Sequence, residues 1–181
     1  MTSWADAHAV LTSWAAPDPI QAQLRNDFVE YLERHPDGLD RGCAPAHITA
    51  SALVVSPTRG QVLLLLHAKA GLWLQAGGHV EPDDATLAVA ALREATEESG
   101  ISGLELASAG TPVRLDRHRA PCRPGVVEHH LDVQYLAWAP TDAVAVRSAE
   151  SRDIGWFDYG ALPEPTDDAL RALVNVAATM L

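Results

Sequence analysis

Apolar positions along the chain fall into alternating helical and extended periods. Trp4, Leu11 and Trp14 recur at helical spacing with alanines between them, which predicts a helix over residues 3–14. After a turn at Ala16-Pro17-Asp18-Pro19, Leu24, Phe28, Tyr31 and Leu32 form a second helical stripe, with Asp18 as N-cap and Pro19 at the first position. It should stop near His35, before the breaker Pro36-Asp37-Gly38. Residues 47–55 and 62–67 read as strands joined by a turn, and residues 72–75 as a short extended piece entering Gly77-Gly78. These two glycines permit backbone geometries closed to other residues. A third helix is expected over about 85–99, with Asp84 as N-cap and Gly100 as its stop. Residues 103–113 read as one or two strands, 114–125 as a polar loop, 126–138 as a long strand, and 149–159 as a strand ending on Trp156-Phe157. Thr166 is expected to cap a last helix, with Asp167 and Asp168 in its first turn and Leu170, Leu173, Val174 and Ala177 facing inward.

The third helix carries an electrostatic conflict. At about 100° per residue, Glu94, Glu97 and Glu98 share a face with Leu87, Ala90 and Ala91. Three carboxylates near a helix C-terminus repel one another and meet the negative end of the helix dipole. A solvated acidic surface with an Arg93–Glu97 pair is the simpler reading, but the apolar residues on the same face argue against it. A hard divalent cation would remove the conflict, because such ions take clustered carboxylate oxygens together with water and phosphate.

Other chemistry is sparser. In the strand over 126–138, Glu128, His130 and Asp132 alternate onto one face, and Val127, His129 and Leu131 onto the other. Glu128 and His130 are placed either to add a metal ligand or a base, or simply to line an exposed face. His118, His129 and His130 are a weaker pointer to a transition metal. His79, alone after the glycines, reads as a hydrogen-bond donor in a loop. Arg117 and Arg119 suit phosphate recognition, or belong to a solvated loop.

Composition narrows the classes. The 181 residues fit one domain, with 48% apolar residues and no 18-residue apolar run to span a membrane. A net charge of −11 argues against nucleic-acid polymers and anionic membranes as partners, though not against a phosphorylated small molecule bound through cations. No basic patch precedes an apolar run at the N-terminus, and Cys43 and Cys122 lack metal-ligand spacing. A cytoplasmic protein with reduced thiols is therefore expected.

Residues 75–101 resemble the Nudix box, G-x5-E-x7-R-E-U-x-E-E-x-G-U, where U is aliphatic. Arg93, Glu94, Ala95, Glu97, Glu98, Gly100 and Ile101 match its second half. The first half is one residue longer between Gly78 and Arg93. It puts Ala85 where the family has a glutamate that helps anchor the box arginine, so Asp83 or Asp84 is expected to take that part. The approach W-x-x-x-G-G at Trp73 and the E-x-x-x-x-x-W-F segment from Glu150 extend the likeness.

The resemblance implies an α/β/α sandwich around a mixed sheet over residues 41–181. Residues 1–40 form an added helical segment, packed on the core or serving as a lid or dimer surface. It also implies Mg2+, or Mn2+, held by Glu94, Glu97, Glu98 and the Gly77 carbonyl, with Glu128 and Glu150 as candidate outer ligands. The implied reaction is hydrolysis of a phosphoanhydride in a nucleoside diphosphate linked to another moiety. Glu94 is the first choice of base, with Glu128 and Glu150 as rivals. Arg117, Arg119 and Trp73 are candidate substrate contacts, and Tyr135 or Trp138 could also stack on a base. A homodimer is left open. The alternative is a Nudix-fold binding domain without turnover. A Nudix-fold isomerase of isopentenyl diphosphate is set aside, because the cysteine associated with that chemistry is missing after Trp73.

Overall fold

The computed structural model describes residues 3–119 and 127–180. Its central strand, β1 (Ala46–Val55), is buried at every position, as expected of a strand covered on both faces. β7 (His129–Trp138) runs parallel to β1 along its whole length, from Ala46 opposite His129 to Val55 opposite Trp138. On the other flank, β4 (Ala76–His79) pairs antiparallel with residues 49–52, and β2 (Gln61–His67) pairs with the end of β1 at Val54 and Val55. β3 (Trp73–Leu74) and β8 (Ser151–Asp158) extend the sheet beyond β2, while β5 (Glu105–Leu106) and β6 (Arg114–Arg119) pair with β7. The described residues thus form one mixed sheet of eight strands.

Alternation along β1 and β7 separates two faces. Ile48, Ala50, Ala52 and Val54, with Leu131, Val133, Tyr135 and Ala137, pack beneath α1 (Ser3–Ser13), α2 (Pro19–Arg34) and α3 (Leu87–Ser99). Leu53, Val55, Val62, Leu64 and Leu136 pack against α4 (Asp168–Thr179) on the opposite face. At its other end this second face turns polar, carrying His47, Thr49 and Ser51 from β1 and His130, Asp132 and Gln134 from β7. The expected α/β/α layering is present, with helices covering both sides of a mixed sheet.

The two N-terminal helices are bound into this core. Ala7, Leu11, Trp14, Phe28 and Leu32 are buried in the same cluster as the sheet. Polar contacts fix their register. The Asp6 carboxylate accepts the Leu87 N–H at the start of α3, at 2.9 Å. Trp14 Nε1 donates to the Pro112 carbonyl, and Tyr31 Oη donates to the Ala46 carbonyl. The Gln21 side chain both donates to and accepts from the Leu115 backbone, at 3.1 and 2.7 Å. Gln21 therefore acts as one extra strand residue beside β6, satisfying an otherwise buried backbone pair. Cys43 is a buried free thiol lying against Tyr31.

Four local expectations change. Residues 114–119 form a strand rather than a loop, because β7 and Gln21 satisfy their backbone from two sides; residues 120–125 of the expected loop, including Cys122, lie outside the described residues. Thr86, not Asp84, caps α3, its hydroxyl accepting the Val89 N–H. Asp167, not Thr166, caps α4, and the Thr166 hydroxyl donates to the Trp73 carbonyl instead. Residues 103–113 hold only the two-residue β5 and a 3-10 turn over Ala107–Gly110.

Candidate active site

The site grows from the buried stripe of α3. Leu87, Ala90, Ala91 and Ala95 face the sheet, and their small size lets the helix lie close to β1 and β4. Glu98 continues that stripe and is only 7% exposed. It stays there because its carboxylate accepts the Gly77 N–H at 2.9 Å. Glu94, one turn earlier, lies over Gly78. A Cβ on Gly78 would sit 2.6 Å from Glu94 Oε1, and one on Gly77 would sit 2.3 Å from Ser51 Cβ. Neither glycine has a positive φ, so the pair is needed for close approach rather than for an unusual backbone geometry. Glu97 departs from the expected inward face. Its side chain is 60% exposed and pairs with Arg93 at 3.2 Å, as the surface reading had it.

Arg93 joins this helix to the loop before it. Its guanidinium donates to Asp84 Oδ1 and Oδ2 at 3.1 and 2.9 Å, to the His79 carbonyl at 2.9 Å and to Glu94 Oε1 at 3.0 Å. Asp84 is almost fully buried and also accepts the Glu81 N–H at 2.8 Å, whereas Asp83 is exposed. The longer loop has therefore brought Asp84 to the box arginine. Burial alone would push Asp84 up; the Arg93 hydrogen bonds, the Glu81 N–H and the Arg93 charge outweigh it and hold the carboxyl below its usual range.

The glutamates are perturbed the other way. Burial is the main cause for Glu98, opposed by the Gly77 N–H and reinforced by the charges of Glu94, Glu150 and Glu97, and it is pushed up to about 7. Burial also raises Glu94; Arg93 opposes this, while Glu97 and Glu150 add to it. Glu150, whose carbonyl accepts the Ala68 N–H, is thus the fourth carboxylate acting on the site. Glu128 is exposed and is not among the charges that bear on Glu94 or Glu98. Oxygen donors gathered around a carboxylate too buried to ionise readily fit a hard divalent cation.

The remaining sequence candidates are dispersed. Arg117 and Arg119 are exposed and alternate away from the polar sheet face. On that face Arg114, which the sequence did not single out, donates to Gln134 and Asp116 at 3.1 and 3.3 Å. Trp73 packs edge-on against Phe157 at 4.9 Å. Tyr135 is 1% exposed in the core and has no face to offer a base. Trp138 lies under the Arg59 guanidinium at 4.8 Å.

A group of histidines occupies the polar sheet face. Strand register places His47, His130 and His118 side by side on β1, β7 and β6, and β4 brings His79 beside them. Ring centroids are 5.0 Å apart for His47–His79, 4.8 Å for His47–His130 and 5.3 Å for His118–His130. His79 is therefore not a solitary loop donor, and His129 points to the other face, away from the group. Burial pushes His79 down to about 4 and His130 to about 3, with the neighbouring imidazoles adding to the effect. Long-range register created this cluster, and no local spacing in the sequence announces it. Nearby, buried Asp132 accepts hydrogen bonds from Thr49, Ser51 and Gln134.

Comparison with known proteins bears on the fold and family. Residues 45–175 match the NUDIX domain model. No curated protein matches the chain in sequence. Among solved structures, an Ap4A hydrolase from C. elegans superposes with a TM-score of 0.62 at 18% identity, covering 74% of this chain and 96% of its own. A NUDIX family hydrolase from Clostridium perfringens gives 0.60 at 22% identity, covering 75% and 98%. A MutT NUDIX hydrolase from Burkholderia pseudomallei gives 0.55 at 28% identity, covering 72% and 96%. The family model's match begins at residue 45, after α2. With the family model spanning most of the chain and the box arginine, glutamates and glycines assembled as described, the chain belongs to the NUDIX domain family and is a Nudix pyrophosphohydrolase.

Proposed function

We propose that this enzyme hydrolyses a phosphoanhydride bond in a nucleoside diphosphate linked to a second moiety, using Mg2+ or Mn2+ held by Glu94, Glu97 and Glu98. Glu150 and the Gly77 carbonyl complete the proposed ligand set. The observation that carries this reading is Glu98, a buried carboxylate pushed up to about 7 among three others. Such a group is costly without a cation and, among the described residues, has no hydrogen-bond partner beyond one N–H. When bound, the cation would neutralise phosphate oxygens and polarise the bridging bond.

The chain's own residues then have separate tasks. Glu94, mostly enclosed over Gly78, accepts the proton of the attacking water. Arg93 orients Glu94 through Oε1 while holding the loop through Asp84 and the His79 carbonyl. The water oxygen bonds to phosphorus as the bridging P–O bond breaks, and the leaving phosphate keeps the electron pair. Arg114, on the polar sheet face, is better placed to meet substrate than Arg117 and Arg119.

A binding domain without turnover has its best support in the missing box glutamate. Asp84 supplies a carboxylate to Arg93, which removes that support. The test is a panel of nucleoside triphosphates, dinucleoside polyphosphates, ADP-ribose-like compounds and nucleotide sugars, assayed with Mg2+ and with product identification. Hydrolysis of at least one class, lost on chelation, is expected. Tight binding without product across the panel would leave only the binding reading.

A further inference from the structure

We propose that His47, His79 and His130 form a transition-metal site of the Zn2+ class on the polar sheet face, separate from the carboxylate site of α3. Their nearest ring nitrogens all lie within 4.8 Å of one another. An equilateral set at that outer limit has its centre about 2.8 Å from each nitrogen. Inward movements of about 0.7 Å would reach the ~2.0–2.1 Å Zn–N distance.

Three further observations point to a ligand. His47 is fully buried, and among the described residues neither of its ring nitrogens makes a well-formed hydrogen bond; the same holds for Nε2 of His79. Buried imidazole nitrogens without partners are costly, and a metal would use their lone pairs. Imidazole donors also select differently from the carboxylates of α3, favouring zinc and similar ions over magnesium. Finally, His118 lies edge-on to His130 at 5.3 Å with its Nδ1 hydrogen bonded to Asp116 at 3.0 Å. This is how carboxylates orient histidines around a metal, and it places a fourth imidazole beside the three.

The site is joined to the box through β4. The His79 ring belongs to the histidine group, while its carbonyl accepts from Arg93. The two residues before it lie against Glu98 and Glu94. A metal holding the ring would therefore fix the strand on which the carboxylates rest.

The test is a Co2+ titration of the untagged, metal-stripped chain, followed by visible absorption and with Mg2+ in excess. One equivalent giving the bands of four-coordinate cobalt, displaced by Zn2+, is expected. The Glu98→Gln variant should keep the signal, because it leaves all the histidines in place. His79→Ala and His130→Ala, at partly exposed positions, should weaken binding by about 100-fold or more while keeping the wild-type circular dichroism. Should either variant unfold, Zn2+ must still raise the melting temperature of the wild type and of Glu98→Gln alike. Absence of cobalt bands in the wild type, their survival in both histidine variants, or their loss in Glu98→Gln would each overturn the proposal.

Discussion

Glu98→Gln should make the metal-free protein more stable at pH 8 while removing its hydrolytic activity. The side chain is 7% exposed, and its carboxyl is pushed up to about 7 from the usual 4.5. Between those values the folded state binds the proton more tightly than the unfolded state. Stability contributed by this group is therefore fully present below about pH 4.5 and is lost as the pH rises through 7. At about 1.36 kcal/mol per unit, the loss at pH 8 is on the order of 3 kcal/mol. Glutamine does not titrate, keeps an oxygen for the Gly77 N–H, and escapes the loss. In a chain of this size the gain corresponds to roughly 6–12 °C in melting temperature. Urea unfolding in chelator at pH 5 and pH 8 measures it, with the variant's advantage growing between the two. Adding Mg2+ should stabilise the wild type more than the variant and so narrow the gap, while turnover of the variant falls by orders of magnitude. A variant less stable than wild type at pH 8, or equally advantaged at pH 5, would refute the picture of a carboxylate held in place for a cation.

The other expectations concern how the box is held. Asp84→Ala removes the buried partner of Arg93, leaving that guanidinium with the His79 carbonyl, Glu94 and Glu97, so a loss of about 2–3 kcal/mol in urea unfolding is expected; Asp83→Ala, at an exposed position, should stay within about 0.5 kcal/mol. The Asp84 carboxyl is held low in the folded state, so its contribution is present above the unfolded value near 4 and should fade as the pH falls below it, a component of acid unfolding that Asp84→Ala lacks. Gly78→Ala puts a methyl 2.6 Å from Glu94 Oε1, the mobile end of a side chain. Turnover should drop by about 100-fold with less than about 1 kcal/mol lost in stability, and an unchanged rate would remove Glu94 from its assigned place.

Much of this molecule was legible locally. The helical periods of Trp4, Leu11 and Trp14, of Leu24, Phe28 and Leu32, and of Leu170, Leu173 and Val174 all became helices, since a stripe repeating every turn has one way to be buried. Arg93, Glu94, Glu97 and Glu98 lie within six residues of one helix, so their common origin needed no tertiary information. What the stripe could not say was depth. Glu98 is enclosed because β4 donates Gly77's N–H to it, while Glu97, one residue earlier, turns out to solvent. Loop geometry was equally opaque: Asp83 and Asp84 are indistinguishable as residue types, and only the fold of residues 81–84 turned Asp84 inward.

The sequence by itself determined the helices, the central strands and the family box, because each is set by neighbours within a few residues. The tertiary structure alone decided that residues 114–119 form a strand, that Tyr135 is core, and that four histidines from four strands meet on one face. Those outcomes depend on which strands pair and in what register. A shift of one residue in β7 would have turned His130 and Asp132 to the opposite face. Periodicity tells which residues share a face within one strand; only pairing tells what lies beside them.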